Sequence, residues 1–143
     1  MALARVADVE ALASGDPHLT ELVDLDPPVA TPSAWLAHVG LAMAERRARG
    51  AAEILWMAVT ASRRGNRIGT SLLDQVLADL GSDGVHVVEA KTLDRVADYA
   101  PYVATRAFWE RRGFVQIDTI DPLPGWQPGS GSAIYVAALA ATR

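Results

Sequence analysis

The sequence of 143 residues contains no cysteine, which excludes disulfide bonds and thiolate metal sites. A chain without disulfides is typical of the cytoplasm, where we expect this protein to reside. Long apolar runs are also missing, and acidic residues interrupt the apolar part of the N-terminus, so we expect neither a membrane span nor a signal peptide. The formal net charge is −4, which disfavours nucleic acid as the main partner. The three histidines lack ligand-like spacing, so no metal site is predicted.

Half of the residues are hydrophobic, which suffices for one globular domain over residues 1–143. The segment EILWMAV at 53–59, apolar from Ile54 onward, predicts a buried strand, and an amphipathic helix follows from Ile68 to Leu80. A second buried strand is predicted for VHVVEA at 85–90 and completes a strand–helix–strand unit. We therefore expect the two strands to lie parallel in one sheet.

Further elements are predicted on both sides of this unit. They are short helices over 6–13 and 17–23, a strand hairpin that includes 34–45, a helix over 102–112, and strands over 114–120 and 133–140. The alanines of 34–45 equally suit a helix, but its position before a turn region with Gly50 favours strands. Gly113 is expected to end the helix over 102–112. Together these elements predict an α/β domain with a mixed sheet.

The loop between the first strand of the unit and its helix, SRRGNRIGT, gathers three arginines and two glycines. The N–H groups and the dipole at the start of a helix attract anions. Gly65 and Gly69 allow the backbone to approach a ligand or to take a positive φ, and Arg64 and Arg67 offer charge-assisted contacts to phosphate oxygens. We therefore predict that residues 64–70 hold a phosphate group. The alternative is a tight connection whose arginines lie in solvent.

The order of these elements, with two motifs, resembles the GNAT superfamily of acetyl-CoA-dependent N-acetyltransferases. The family signature Q/R-x-x-G-x-G/A corresponds to RGNRIG at 64–69, and RAFWERRGF at 106–114 resembles R-A-F-Y-E-x-x-G-F. The resemblance covers residues 53–120. It implies a mixed, mostly antiparallel central sheet with helices on both faces, and acetyl-CoA as a co-substrate. The cofactor-binding residues that it implies are Ala58, Val59, Arg64, Gly65, Asn66, Arg67, Ile68, Gly69, Thr70 and Trp109.

Three residues depart from the family pattern, and one of them, Val103, takes a place often held by asparagine. Arg67 stands where the signature has a glycine. Trp109 replaces the tyrosine that many members are thought to use to protonate the departing CoA thiolate, and an indole N–H does not give up its proton at neutral pH. We expect Tyr102 or Tyr99 to take this role, with Tyr135 as a further candidate.

Glu53 is the candidate general base. It begins the strand that, by resemblance, lines the cofactor and the substrate, and some family members use a glutamate at this place. A carboxylate next to an apolar sheet is suited to accept a proton from an ammonium group. The alternative is a carboxylate at a strand end that pairs with Arg46 or Arg47.

The sequence thus predicts an N-acetyltransferase that acts on a primary amine of a small molecule or peptide by direct attack in a ternary complex. The alternative is a regulatory module that binds acyl-CoA without catalysis, a hypothesis that Trp109 keeps open. A second copy of the chain is a candidate partner, whereas nucleic acid and membrane are not expected partners.

Overall fold

The computed structural model describes residues 33–37, 40–59, 65 and 67–140, with side chains described from residue 40 onward. These residues contain two α-helices, α1 (Ile68–Ser82) and α2 (Pro101–Arg111). Their strands are β1 (Ser33–Ala37), β2 (Gly40–Ala48), β3 (Ala51–Val59), β4 (Val87–Leu93), β5 (Val115–Ile120) and β6 (Ser132–Ala138). The helices predicted over 6–13 and 17–23 lie outside the described residues.

The strands form a single sheet in the order β1-β2-β3-β4-β6-β5. Strand β3 pairs with β4 in parallel, and the other neighbouring strands pair antiparallel. The parallel orientation follows because α1 connects β3 to β4 as a crossover helix. The predicted mixed, mostly antiparallel sheet is therefore confirmed.

The described residues of the ambiguous run at 34–45 lie in strands and not in a helix. It contributes to two antiparallel strands, with Ala37 opposite Gly40. The turn between β2 and β3 contains Gly50 at φ +79°, as predicted. Pairing along both edges of β2 explains why its alanines do not form a helix, since cross-strand packing outweighs a weak local propensity.

The two described helices contribute to one hydrophobic core. Helix α1 buries Leu72, Leu73, Val76 and Leu80, which recur at helical spacing along one side. Helix α2 adds Trp109, and the opposing strands add a row of small and medium apolar residues: Ala52, Ile54, Val88, Ala90, Tyr135 and Ala137. These strand residues are cross-strand partners or lie two positions apart, so they share one face of the sheet. Both helices therefore pack on the same face.

The boundaries of α2 follow from its sequence. Pro101 occupies the first turn, where its missing N–H is not needed. At the other end Gly113 takes φ +84°, and the N–H of Phe114 donates to the carbonyl of Trp109 at 3.1 Å. Glycine was predicted to end this helix, and its left-handed conformation is the reason.

Candidate active site

Strands β3 and β4 pair over only part of their lengths. The parallel register covers Ala51 to Ile54 of β3, whereas β3 continues to Val59 and β4 continues to Leu93. Beyond Ile54, no other described strand pairs with this edge of β3, although β2 pairs with its opposite edge. Alternate residues of a strand direct their N–H and C=O groups to each edge. Residues 55–58 therefore offer backbone donors and acceptors to a ligand that enters the opening between the two strands.

Helix α1 begins beside this part of β3 and has no side-chain cap. Its N-cap residue, Arg67, makes no side-chain capping hydrogen bond, and its first turn contains no acidic residue. The first hydrogen bond of the helix joins the N–H of Ser71 to the carbonyl of Arg67 at 3.0 Å. The N–H groups of residues 68–70 precede this bond and have no acceptor within the helix. Together with the helix dipole, they favour an anion at this end.

Arg67 has a left-handed backbone, with φ 60° and ψ 16°. A residue with a Cβ atom pays about 1–2 kcal/mol for this conformation, and glycine avoids most of that cost. The structure thus explains why the family signature has glycine at this position. The side chain of Arg67 is exposed, so its guanidinium is available beside the start of α1.

The two glycines of the loop differ in their roles. Gly65 has φ +84°, and a Cβ atom there would meet nothing within 4 Å. Gly69 lies in α1, where a Cβ atom would lie 3.6 Å from Phe108 Cε2 and from Val59 Cγ2. Position 69 therefore faces protein, and a Cβ atom there would make only ordinary van der Waals contacts. Arg64 and Asn66 lie outside the described residues.

The remaining predicted cofactor residues on β3 and α1 lie around the same junction. Ala58 and Val59 end β3, and Ile68 and Thr70 are half-buried in the first turn of α1. The hydroxyl oxygen of Thr70 accepts a hydrogen bond from Nη2 of Arg112 at 2.7 Å. Sequence reasoning missed Arg112, because the two residues lie 42 positions apart and no local pattern connects them.

Glu53 lies in a cluster of ion pairs. Glu53 is 5 % exposed as a whole residue. Its carboxylate accepts hydrogen bonds from Arg47 Nε at 2.7 Å and Lys91 Nζ at 2.9 Å. Hydrogen bonds to Glu53 raise the pKa of Arg47. Burial alone would lower the pKa of Lys91, but hydrogen bonds to Glu53 and Glu89 raise it. Both cations therefore stay charged at neutral pH, and Glu53 is paired rather than solvated. Its role as general base stays a prediction.

Two of the three candidate tyrosines lie on the surface at the start of α2. Tyr99 is 54 % exposed and Tyr102 is 37 % exposed, and their ring centroids lie 5.8 Å apart. Because β3 and β4 are parallel, their carboxyl-terminal ends lie at the same end of the sheet, and the segments that follow the two strands start there. The structure thus places these phenols at the end of the sheet where α1 begins.

Tyr135 is different, because it is fully buried in β6. Its hydroxyl donates to Oε1 of Glu110 at 3.0 Å, and Glu110 also accepts from Arg95. Burial, followed by the hydrogen bond to Glu110, raises the pKa of Tyr135. Since a phenol that holds its proton more tightly is a poorer acid, Tyr135 is not suited to protonate a thiolate.

Trp109 is a core residue. It is 6 % exposed, and its ring packs edge-on against Phe108 at a centroid distance of 5.3 Å and against Phe114 at 5.0 Å. Little of its surface remains for a cofactor. Its large ring fills the space between α2 and the sheet, and the contact with the cofactor that we expect of Trp109 stays a prediction.

A buried carboxylate that the sequence analysis missed lies after β4. Asp94 is 3 % exposed and accepts hydrogen bonds from the N–H of Val96, the hydroxyl of Thr119 and the amide of Gln116. Burial alone would raise the pKa of Asp94, but these hydrogen bonds and the charge of Arg95 lower it. Asp94 thereby attaches the segment between β4 and α2 to β5. This segment carries Tyr99.

The described residues contain no group of three or more His, Asp or Glu side chains that could hold a metal ion. Within the same residues, neither helix is long and apolar enough to cross a membrane.

The sequence matches a family model. Residues 31–116, more than half of the chain, match the acetyltransferase (GNAT) domain. None of the curated proteins matches the chain significantly.

Solved structures with the same fold are numerous. A GNAT-family protein from Desulfovibrio desulfuricans is 26 % identical with a TM-score of 0.64, and the match covers 71 % of this chain and 62 % of that one. The chain thus spans less than two thirds of that relative. An aminoglycoside 6′-N-acetyltransferase complexed with coenzyme A is 17 % identical, with a TM-score of 0.68 over 100 % and 99 % of the two chains. A ribosomal-protein alanine N-acetyltransferase from Escherichia coli is 13 % identical, with a TM-score of 0.70 over 99 % and 94 %.

Proposed function

The chain belongs to the GNAT acetyltransferase family, and we propose that it transfers an acetyl group from acetyl-CoA to a primary amine by direct attack in a ternary complex. One observation carries this proposal. Residues 55–58 of β3, whose edge beyond Ile54 no other described strand pairs, lie next to the uncapped start of α1, so backbone groups for an amide-containing arm adjoin donors for a phosphate. Such an arrangement suits a ligand that is extended and polar at one part and anionic at the next.

The residues at this junction fit CoA. The first turn of α1 contains no acidic residue, and the exposed Arg67 precedes it. Residues 55–58 would bind the pantetheine arm through their backbone groups, and residues 67–70 would bind the pyrophosphate. Arg64 and Asn66 extend this assignment by the family signature. Acetyl-CoA supplies the activated acetyl group, and the chain supplies position and hydrogen bonds.

The amine must lose a proton and the thiolate must gain one. We assign the first step to water, because Glu53 is held by Arg47 and Lys91. We assign protonation of the thiolate to Tyr102, with Tyr99 beside it, because these phenols are exposed at the end of the sheet where α1 begins. A thiol has a pKa of about 8.5, so its thiolate is a weak base that needs only modest help from an acid.

The acceptor is a primary amine of a small molecule or a peptide. Two structural neighbours acetylate an aminoglycoside and a ribosomal-protein alanine, respectively. They support an amine as the acceptor class. At their low identity to this chain they do not select between the two kinds of amine.

The test is acetyl-CoA turnover, followed with a thiol reagent, against a panel of small-molecule amines, peptide N-termini and lysines. We expect acetyl transfer to at least one amine of the panel, detected as the release of CoA. On that amine, Tyr102→Phe should lower kcat with little change in KM, by at most about ten-thousand-fold, as for the loss of an acid. Tyr135→Phe is the control, because it removes a phenol that is buried and bonded to Glu110. A wild-type protein that acetylates no amine but binds CoA would favour the regulatory module instead.

A further inference from the structure

Arg112, at the contact between α1 and α2, has no carboxylate partner among the described residues. Its Nη2 donates to Oγ1 of Thr70 at 2.7 Å, and its Nε is buried with no hydrogen-bond partner in the same part of the chain. None of the ion pairs within the described residues includes Arg112. A buried donor without a partner lowers the stability of the folded state. Packing of α2 on α1 alone does not explain a guanidinium here.

The hydrogen bond also determines what Thr70 can do. A hydroxyl accepts through its lone pairs and donates one hydrogen. Because the oxygen of Thr70 already accepts from Arg112, its hydrogen is turned away from the guanidinium and is available as a donor. Thr70 lies in the first turn of α1, beside the N–H groups that have no acceptor within the helix. The side chains and backbone groups here are therefore donors, as an acceptor-only ligand requires.

On this basis, and resting on the proposed function, we propose that Arg112 is a positioning residue for the pyrophosphate of CoA. It orients the Thr70 hydroxyl as a donor to a phosphate oxygen and adds positive charge to the start of α1. A carboxylate beside Arg112 would cancel that charge, which accounts for its absence among the described residues.

The experiment compares Arg112→Met with Arg111→Met by calorimetric titration with CoA, dephospho-CoA and pantetheine. Arg111 is a matched control: it is the neighbouring residue of α2, it carries the same charge, and it is exposed. We expect Arg112→Met to weaken binding of CoA and dephospho-CoA equally, by about tenfold, and to flatten the dependence of Kd on salt. Binding of pantetheine, which lacks phosphate, should not change. If Arg112 only held the two helices together, its loss would instead weaken the binding of all three ligands.

A second variant, Thr70→Val, keeps the shape of the side chain and removes its hydroxyl. We expect about the same loss of CoA affinity, and little further loss when it is combined with Arg112→Met, because the two residues act through one hydrogen bond. Equal CoA affinity of the Arg112 and Arg111 variants would overturn the proposal. So would an equal loss for pantetheine, or a loss confined to CoA with its additional 3′-phosphate. Failure of the wild type to bind CoA would instead overturn the proposed function itself.

Discussion

Glu53→Gln is the change that best separates a structural role of this cluster from a catalytic one. The substitution keeps the size of the side chain and removes its negative charge. In the structure that charge is met by Arg47 and Lys91, and the side chain of Glu53 is only 7 % exposed. The neutral amide would place its NH₂ group, a donor, against one of two cationic donors.

The size of the effect follows from the surroundings of the two cations. Breaking a fully buried ion pair costs about 3–5 kcal/mol. Here Arg47 is 48 % exposed and Lys91 is 26 % exposed, and each keeps another carboxylate, Glu45 at 3.4 Å and Glu89 at 3.1 Å. Solvent and these partners reduce the penalty, so we expect a loss of about 2 kcal/mol in the free energy of unfolding. For a chain of this length that corresponds to a fall in Tm of about 6–8 °C.

Stability is measured by calorimetry or urea denaturation, and acetyl transfer is measured at a temperature where both proteins are fully folded. We expect the variant to lose stability while its kcat stays close to that of the wild type. A general base would give a different result, because its removal lowers kcat by about a hundred- to ten-thousand-fold.

Glu45→Gln is the matched control, since Glu45 faces Glu53 on β2. Its single contact with Arg47 is at 3.4 Å, so we expect a loss well below about 1 kcal/mol. Our reasoning would be refuted if Glu53→Gln left the stability unchanged. It would also be refuted if Glu53→Gln abolished turnover in a folded protein while Glu45→Gln did not, because Glu53 would then be the base.

Two further predictions concern the backbone and pH. At position 67, the left-handed φ predicts that Arg67→Gly is more stable than Arg67→Ala by about 1 kcal/mol in urea denaturation, and equal stabilities would show that φ is not positive in solution. Because the pKa of Asp94 is lowered in the folded state, its contribution to stability is present above its unfolded pKa of about 3.9 and is lost as pH falls through the folded value. The stability of Asp94→Asn should therefore be lower than that of the wild type at pH 7, and the difference should shrink as the pH falls below the unfolded pKa, whereas parallel pH curves would contradict this assignment.

Local patterns predicted the part of the fold that local physics determines. The helical spacing of Leu72, Leu73, Val76 and Leu80 predicted α1, and Gly113 predicted the end of α2. The parallel pairing of β3 and β4 followed from the crossover helix between them. The run at 34–45 was ambiguous, because alanine suits both structures and the pairing of β2 with its two neighbours decides the outcome.

The candidate site was predictable only where it follows the chain. The loop over 64–70 is continuous in sequence, so its glycines and arginines indicated an anion site. Lys91 is 38 positions from Glu53, and only the register of β3 against β4 brings them together. The contact of Arg112 with Thr70 similarly depends on the angle between two helices, which no local pattern specifies.

The distinction between an enzyme and a binding module does not depend on position 109. Trp109 is buried between Phe108 and Phe114, and a tyrosine in the same place would bring a hydroxyl that needs a hydrogen-bond partner in an apolar core. Tryptophan at this position is therefore sufficiently explained by packing, and it is no sign that acid catalysis has been abandoned. The thiolate is a weak base, so a phenol elsewhere can serve it. Tyr102 and Tyr99 are the exposed phenols of the described residues. Acid catalysis for the thiolate therefore depends on these two residues at the start of α2.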